Sequence, residues 1–189
     1  MSRCAICLSI YFIRFQREYV RATRRSGRVC VGVFGWIHAS GVGELADVGP
    51  GRFTGEKYVE LLDEVLLPTV RTLLFPNTTP FYLVQDNSPI HTSRVVKDWF
   101  REHPHITLLP HPPKSPDLNP IEEIWAAMIK VGRPDTLRQR NRQTLLDNAM
   151  MAWEQLRLPE GQNLTQSSVA SMPRRLISVL ENGGGYTKY

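Results

Sequence analysis

The sequence predicts one α/β domain built on a mixed sheet, and three observations predict it. Short β-branched and aromatic runs come early, strand-like and helix-like segments then alternate, and amphipathic helical segments dominate the last third. Residues 81–85 (FYLVQ) form a short continuous apolar run, the pattern of a strand buried on both faces. No internal repeat and no long flexible linker divides the chain.

The elements follow in order. Residues 5–14 are apolar and read as a first strand, the least defined of the set. Residues 29–37 (VCVGVFGWI) are β-branched and aromatic and read as a strand; 38–41 make a turn, and 42–48 (VGELADV) return as the second arm of a hairpin. Thr54 is a natural N-cap for a helix over 55–74, in which Tyr58, Leu61, Leu62, Val65 and Leu66 recur at helical spacing. Pro68 kinks or ends its first segment. The 81–85 strand stops at Asp86-Asn87. A helix over 89–102 then turns Ile90, Val96, Trp99 and Phe100 inward, and 106–109 form another short strand. Residues 110–120 contain five prolines and are stiff and extended. Helices are expected over 120–130 and over 143–156, the latter with Leu145, Leu146, Met150 and Trp153 on its apolar side. A last helix over 168–181 is interrupted at Pro173 and closed by Gly183-Gly184-Gly185.

Composition narrows the classes. The chain has 189 residues, 42% hydrophobic and 22% charged, which is globular and excludes a disordered tail, a collagen-like repeat and a disulfide miniprotein. The longest apolar stretch, residues 4–13, is too short for a bilayer, so no membrane partner is expected, and no small-residue cleavage site follows it. Three cysteines (Cys4, Cys7, Cys30) cannot close a disulfide framework, and Cys4-x-x-Cys7 lacks the further ligands of a structural zinc site. The net charge of +5 is unevenly placed: residues 1–30 carry seven arginines against Glu18, and the rest of the chain sums to −1. That basic start is either a polyanion-binding segment or a solvated tail.

Two carboxylates stand out. Asp86 lies at the carboxyl end of a buried strand, where α/β sheets bind ligands; an Asp-Asn pair is also a common turn. Glu122 lies in SPDLNPIEEIW, where Asn119 suits the N-cap, Pro120 the first helical position and Glu122 the third, so a capping role accounts for it too. Ile121, Ile124, Trp125 and Met128 form the buried stripe of that helix. A rigid strand end and a rigid helix start can present Asp86 and Glu122 to a common point. Two carboxylates suit an oxygen-ligated Mg²⁺ or Mn²⁺, and paired ions held this way serve phosphodiester chemistry.

VQDNSPIHTSRVVKDWF followed by LLPHPPKSPDLNPIEEIWAAMIK resembles the catalytic domain of mariner-type DNA transposases of the DDE superfamily. GWIHASGVGEL, GEKYVELLDEVLLP and SMPRRLISVLENGGGYTKY extend the resemblance over roughly residues 26–189, leaving 1–25 as a divergent basic segment before an incomplete catalytic domain. The resemblance implies a ribonuclease-H-like mixed sheet flanked by helices and metal-dependent cleavage and transfer of DNA strands. It implies that Asp86 and Glu122, with 35 residues between them, are catalytic and bind Mg²⁺ or Mn²⁺. Asn87, His91 and Asn119 would support the site, and Asp117 would be structural. The expected partner is DNA, with Arg24, Arg25, Arg28, Arg138, Arg140 and Arg142 as the DNA-binding side chains. A homodimer and a nuclear location are further expectations. Two departures are visible. The family's first catalytic Asp lies on the first strand, whereas residues 1–46 contain no Asp, and Asp47 comes after the hairpin. The family's helix-turn-helix modules also have no counterpart before the domain. The sequence therefore looks like a transposase truncated at its start, with metal binding weakened and cleavage lost. A nucleic-acid-binding module without chemistry and a relic are the alternatives.

Overall fold

The computed structural model describes residues 30–74, 79–113, 115–131 and 141–183, and the backbone of 5–14. β1 (Ala5–Arg14), β2 (Cys30–His38) and β3 (Gly41–Asp47) form an antiparallel meander, with Ser9 paired to Gly35 and Val33 to Asp47. β4 (Phe81–Val84) joins the other edge of β1 in parallel, Cys7 opposite Val84, and β5 (Ile106–Leu108) extends the sheet in parallel beyond it. The order is β3-β2-β1-β4-β5, so the first strand in sequence is the central one.

β2 is covered on both faces, and its residues alternate between two cores. Val31, Val33 and Ile37 face the helices α4 (Ile121–Val131) and α5 (Arg142–Gln155). Phe34 and Trp36 face α1 (Gly55–Leu61), α2 (Leu67–Leu73) and α3 (Arg94–Glu102). Two close approaches require glycine. A Cβ on Gly35 would stand 2.6 Å from the Trp125 ring, and one on Gly43 2.0 Å from the Trp36 ring. Trp125 and Trp153 lie against each other over Gly35, with ring centres 5.0 Å apart. The Trp153 indole N–H donates to the Gly43 carbonyl at 2.9 Å, fastening α5 to the hairpin.

The expected helix over 55–74 forms, with Thr54 capping it by accepting from the Lys57 N–H. Pro68 does not end it. A π-helical turn, Leu62–Leu66, widens the backbone just before the proline. The Thr69 hydroxyl donates to the Val65 carbonyl at 2.6 Å, next to where the proline supplies no N–H. α3 starts later than residue 89, because residues 88–93 are held as turns by Thr92 N–H to Ser88 O and Ser93 N–H to Ile90 O.

The end of the chain differs from the sequence reading. In place of one helix over 168–181 there are two, α6 (Pro159–Ala170) and α7 (Met172–Glu181), meeting at Ser171. α6 buries Gly161, Thr165 and Ser168, so its inward face is small and polar and leaves no apolar period to detect. Pro173 falls in the first turn of α7, where a missing N–H costs nothing. Among the described residues no helix is long and apolar enough to cross a membrane.

Candidate active site

β4 carries the chain into the site. Gln85 is buried, and Asp86 turns out toward a cleft with its side chain half exposed. The Asp86 Oδ1 accepts from His91 Nδ1–H at 2.6 Å and from the Ser88 N–H at 3.0 Å, which closes the turn and fixes the carboxylate. The His91 bond holds the Asp86 carboxyl below its usual range, against an opposing push from burial. His91 is itself buried and packs on Tyr58, ring centres 4.3 Å apart. The Tyr58 hydroxyl donates to Gln85 Oε1 at 2.5 Å. Burial, with the Asp86 charge behind it, raises the Tyr58 hydroxyl well above its usual range and keeps it a donor.

Glu122 comes from the first turn of α4. The proline-rich segment ends in a 3₁₀ turn, Pro116–Leu118, and Asn119 closes it by donating its N–H to the Pro116 carbonyl at 3.0 Å. α7 secures this turn from behind. Arg175 is 2% exposed; its Nη1 donates to the Asp117 carbonyl at 2.9 Å, its Nε to Ser171 Oγ at 2.7 Å, and its Nη2 pairs with Glu123. The Ser168 hydroxyl donates to the Pro120 carbonyl at 3.1 Å. Glu122 is thus placed by α6 and α7 as much as by its own helix.

Asp86 and Glu122 line one cleft of about 310 Å³, together with Asn87, His111 and Asn119. Burial first and the Asp86 charge second raise the Glu122 carboxyl above its usual range. Two carboxylates with oppositely displaced affinities for a proton, facing one cavity, are typical of a functional centre. Asn87 donates its side-chain N–H to the His111 carbonyl and so fixes one wall.

Asn119 corrects an expectation. It does not cap α4 with its side chain. The helix begins at Ile121, Glu122 N–H bonds to the Asn119 main-chain carbonyl, and Asn119 Oδ1 is buried without a partner. Closure of the preceding 3₁₀ turn has drawn the side chain inward and away from the helix N–H groups. An orphaned oxygen beside two carboxylates makes an all-oxygen donor set, which fits Mg²⁺ or Mn²⁺. The central strand contributes no carboxylate. Carrying the β1–β4 register two residues beyond the Cys7–Val84 pair sets Ser9 level with Asp86, and β1 (AICLSIYFIR) has no acidic residue. Among the described residues no group of three or more His, Cys, Asp and Glu is placed to hold a metal.

Of the expected DNA-binding side chains, Arg24, Arg25, Arg28, Arg138 and Arg140 lie outside the described residues. Arg142 is engaged by Asp47, with Nη2 2.5 and 2.8 Å from its two oxygens, a tie between α5 and β3. Sequence patterns concealed Tyr58, Gln85 and Arg175: Tyr58 carries the spacing of an ordinary core residue, and Arg175 stands in a basic pair that reads as solvated.

Comparison with known proteins bears on this geometry. The family of DDE superfamily endonucleases matches residues 10–145. The Tcb2 transposase of Caenorhabditis briggsae is 31% identical over 178 residues, 93% of this chain and 60% of that protein. The chain thus spans about 60% of the length of this curated relative. The Mos1 transposase catalytic domain, solved with raltegravir and Mg, superposes with a TM-score of 0.77 at 17% identity over 97% of this chain and 85% of that one. A Mos1 paired-end complex with the left transposon end superposes at 0.75 and 20% identity, over 96% of this chain and 56% of that one. The sheet is therefore the ribonuclease-H-like sheet that the resemblance implied, and the chain belongs to the DDE superfamily of endonucleases.

Proposed function

We propose that this domain acts on DNA in transposition through one divalent ion held by Asp86 and Glu122, and that strand cleavage by a two-ion centre is weakened or lost in it. The observation that carries the reading is the shared cleft, in which the Asp86 charge helps to raise the Glu122 carboxyl. Asp86, kept ionised by His91 and Ser88, and Glu122 would hold the ion, with Asn119 Oδ1 an unpartnered neutral oxygen of a residue lining the same cleft. When bound, Mg²⁺ or Mn²⁺ would neutralise and polarise a phosphodiester group. The protein's part is to keep Asp86 charged, to hold the raised Glu122 carboxyl where the ion gives it a positive partner, and to wall the cleft with Asn87 and His111. A second ion close by lacks the bridging anion that would screen its repulsion from the first, because β1 brings no carboxylate.

The Mos1 structures include one with Mg and a paired-end complex with a left transposon end, which supports the reading that transposon-end DNA is the partner of this chain. A pair of identical chains as the assembly and the nucleus as the place of action are part of the same proposal. The second reading, a nucleic-acid-binding module without chemistry, is favoured by the same lack of acidic residues on β1. Incubation with DNA bearing the transposon's terminal repeats decides between them. We expect Mn²⁺ to bind the wild-type chain and not Asp86→Ala, with no nicking by either. Mn²⁺-dependent nicking that Asp86→Ala abolishes would overturn the loss of cleavage.

A further inference from the structure

A second groove opens beyond Asn87 and His111, which line both it and the Asp86–Glu122 cleft. Its volume is about 580 Å³, within the range of small-ligand sites, about 300–1,000 Å³. One side is cationic. Lys97 is exposed and has no ion-pair partner among the described residues, while Arg101 shares Asp98 with Arg94. The groove's apolar lining is Phe100, on the same helix as the cations, and Leu108 and Leu109 from β5 and the residue after it, which remain 38% and 36% exposed.

The third feature is a buried amide. Gln85 lines the groove and is 7% exposed. Tyr58 takes its Oε1, so its Nε2 donors have no partner among the described residues. With its oxygen taken by Tyr58, the amide presents only donors to the groove, which suit a ligand acceptor. An apolar wall for stacking, cations for phosphate and a fixed donor for a base edge are the chemistry of single-stranded nucleic-acid sites. A base in a duplex is stacked between its neighbours and cannot lie flat on this apolar wall, above a nearly buried amide.

We propose that this groove holds one unpaired nucleotide of the DNA strand whose neighbouring phosphate lies in the Asp86–Glu122 cleft. The base lies on Phe100 and Leu108 with an acceptor on Gln85 Nε2, and the phosphate faces Lys97 and Arg101. The inference rests on the DNA reading above and adds the strand's path and its unpaired state.

The test uses the full chain with a short single-stranded oligonucleotide carrying 5-iodouracil, read by photocross-linking and fluorescence anisotropy. Cross-links are expected within residues 85–111. Lys97→Glu is expected to weaken binding at least about fivefold and to lower the slope of log affinity against log salt by about 0.7. Gln85→Glu keeps the oxygen that Tyr58 needs and removes the donor. It is expected to weaken single-stranded binding and leave binding of the matching duplex unchanged. Wild-type binding by both variants, with cross-links elsewhere, overturns the groove and leaves the DNA reading standing. Equal losses for duplex and single strand overturn the unpaired state. No binding of either DNA overturns both readings together. Should Gln85→Glu fail to fold, Lys97→Glu and the cross-link map decide.

Discussion

Asp86 and Glu122 respond to acid in opposite senses, and the signs can be followed separately. The native state lowers the Asp86 carboxyl, so Asp86 stabilises the fold above the unfolded value, about 3.9, and that contribution disappears as pH falls through the lower folded value. The native state raises the Glu122 carboxyl, so its contribution is lost as pH rises from about 4.3 through the higher folded value. Above that window Glu122 is a standing burden on the fold. Glu122→Gln is therefore expected to stabilise the metal-free chain by about 0.5–2 kcal/mol in denaturant unfolding at pH 7, while removing the response to Mn²⁺. Replacing His91 by Ala removes the main cause of the low Asp86 value and leaves burial opposed only by the Ser88 N–H and His111. Carbon-13 NMR titration should then show the Asp86 midpoint moving upward; an unchanged midpoint would refute the role assigned to His91.

The elements make their own predictions. A methyl group on Gly43 would meet the Trp36 ring at 2.0 Å, so Gly43→Ala is expected to destabilise the fold by about 1–3 kcal/mol in denaturant melts. Arg175→Ala removes the guanidinium that donates to the Asp117 carbonyl and pairs with Glu123. A loss near the lower end of the about 3–5 kcal/mol seen for broken buried pairs is expected, because Glu123 stays partly exposed. Hydrogen exchange at the Asn119 and Glu122 amides should accelerate more than at β2. Short apolar runs were legible in advance: the run over 5–14, the least defined in sequence, matches β1, and the run at 81–85 matches β4 to within a residue. α6 escaped notice because its buried face is Gly161, Thr165 and Ser168. Asn119 carried a genuine capping pattern, yet the turn before it buried the side chain, a tertiary outcome that no local window contains. The meeting of Asp86 and Glu122 was legible only through two motif strings. With 35 residues between them, only the folded sheet brings them together.

For the whole molecule, ion binding and folding are linked. An ion held by Asp86 and Glu122 binds the native chain and not the unfolded one, so Mn²⁺ at 100 times its dissociation constant should add about 2.7 kcal/mol of stability. Calorimetry should show this upward shift for the wild type and not for Asp86→Asn; equal shifts in both would place the ion elsewhere. The central position of β1 bears on how the molecule is made. As the chain leaves the ribosome, β1, β2 and β3 can pair at once, but one edge of β1 stays open until residues 81–84 arrive. The turn bearing Glu122 is locked only after Arg175 has emerged. A nascent polypeptide therefore completes its acidic cleft only once α7 has emerged, and a ribosome stalled before α7 would display the sheet without a settled centre.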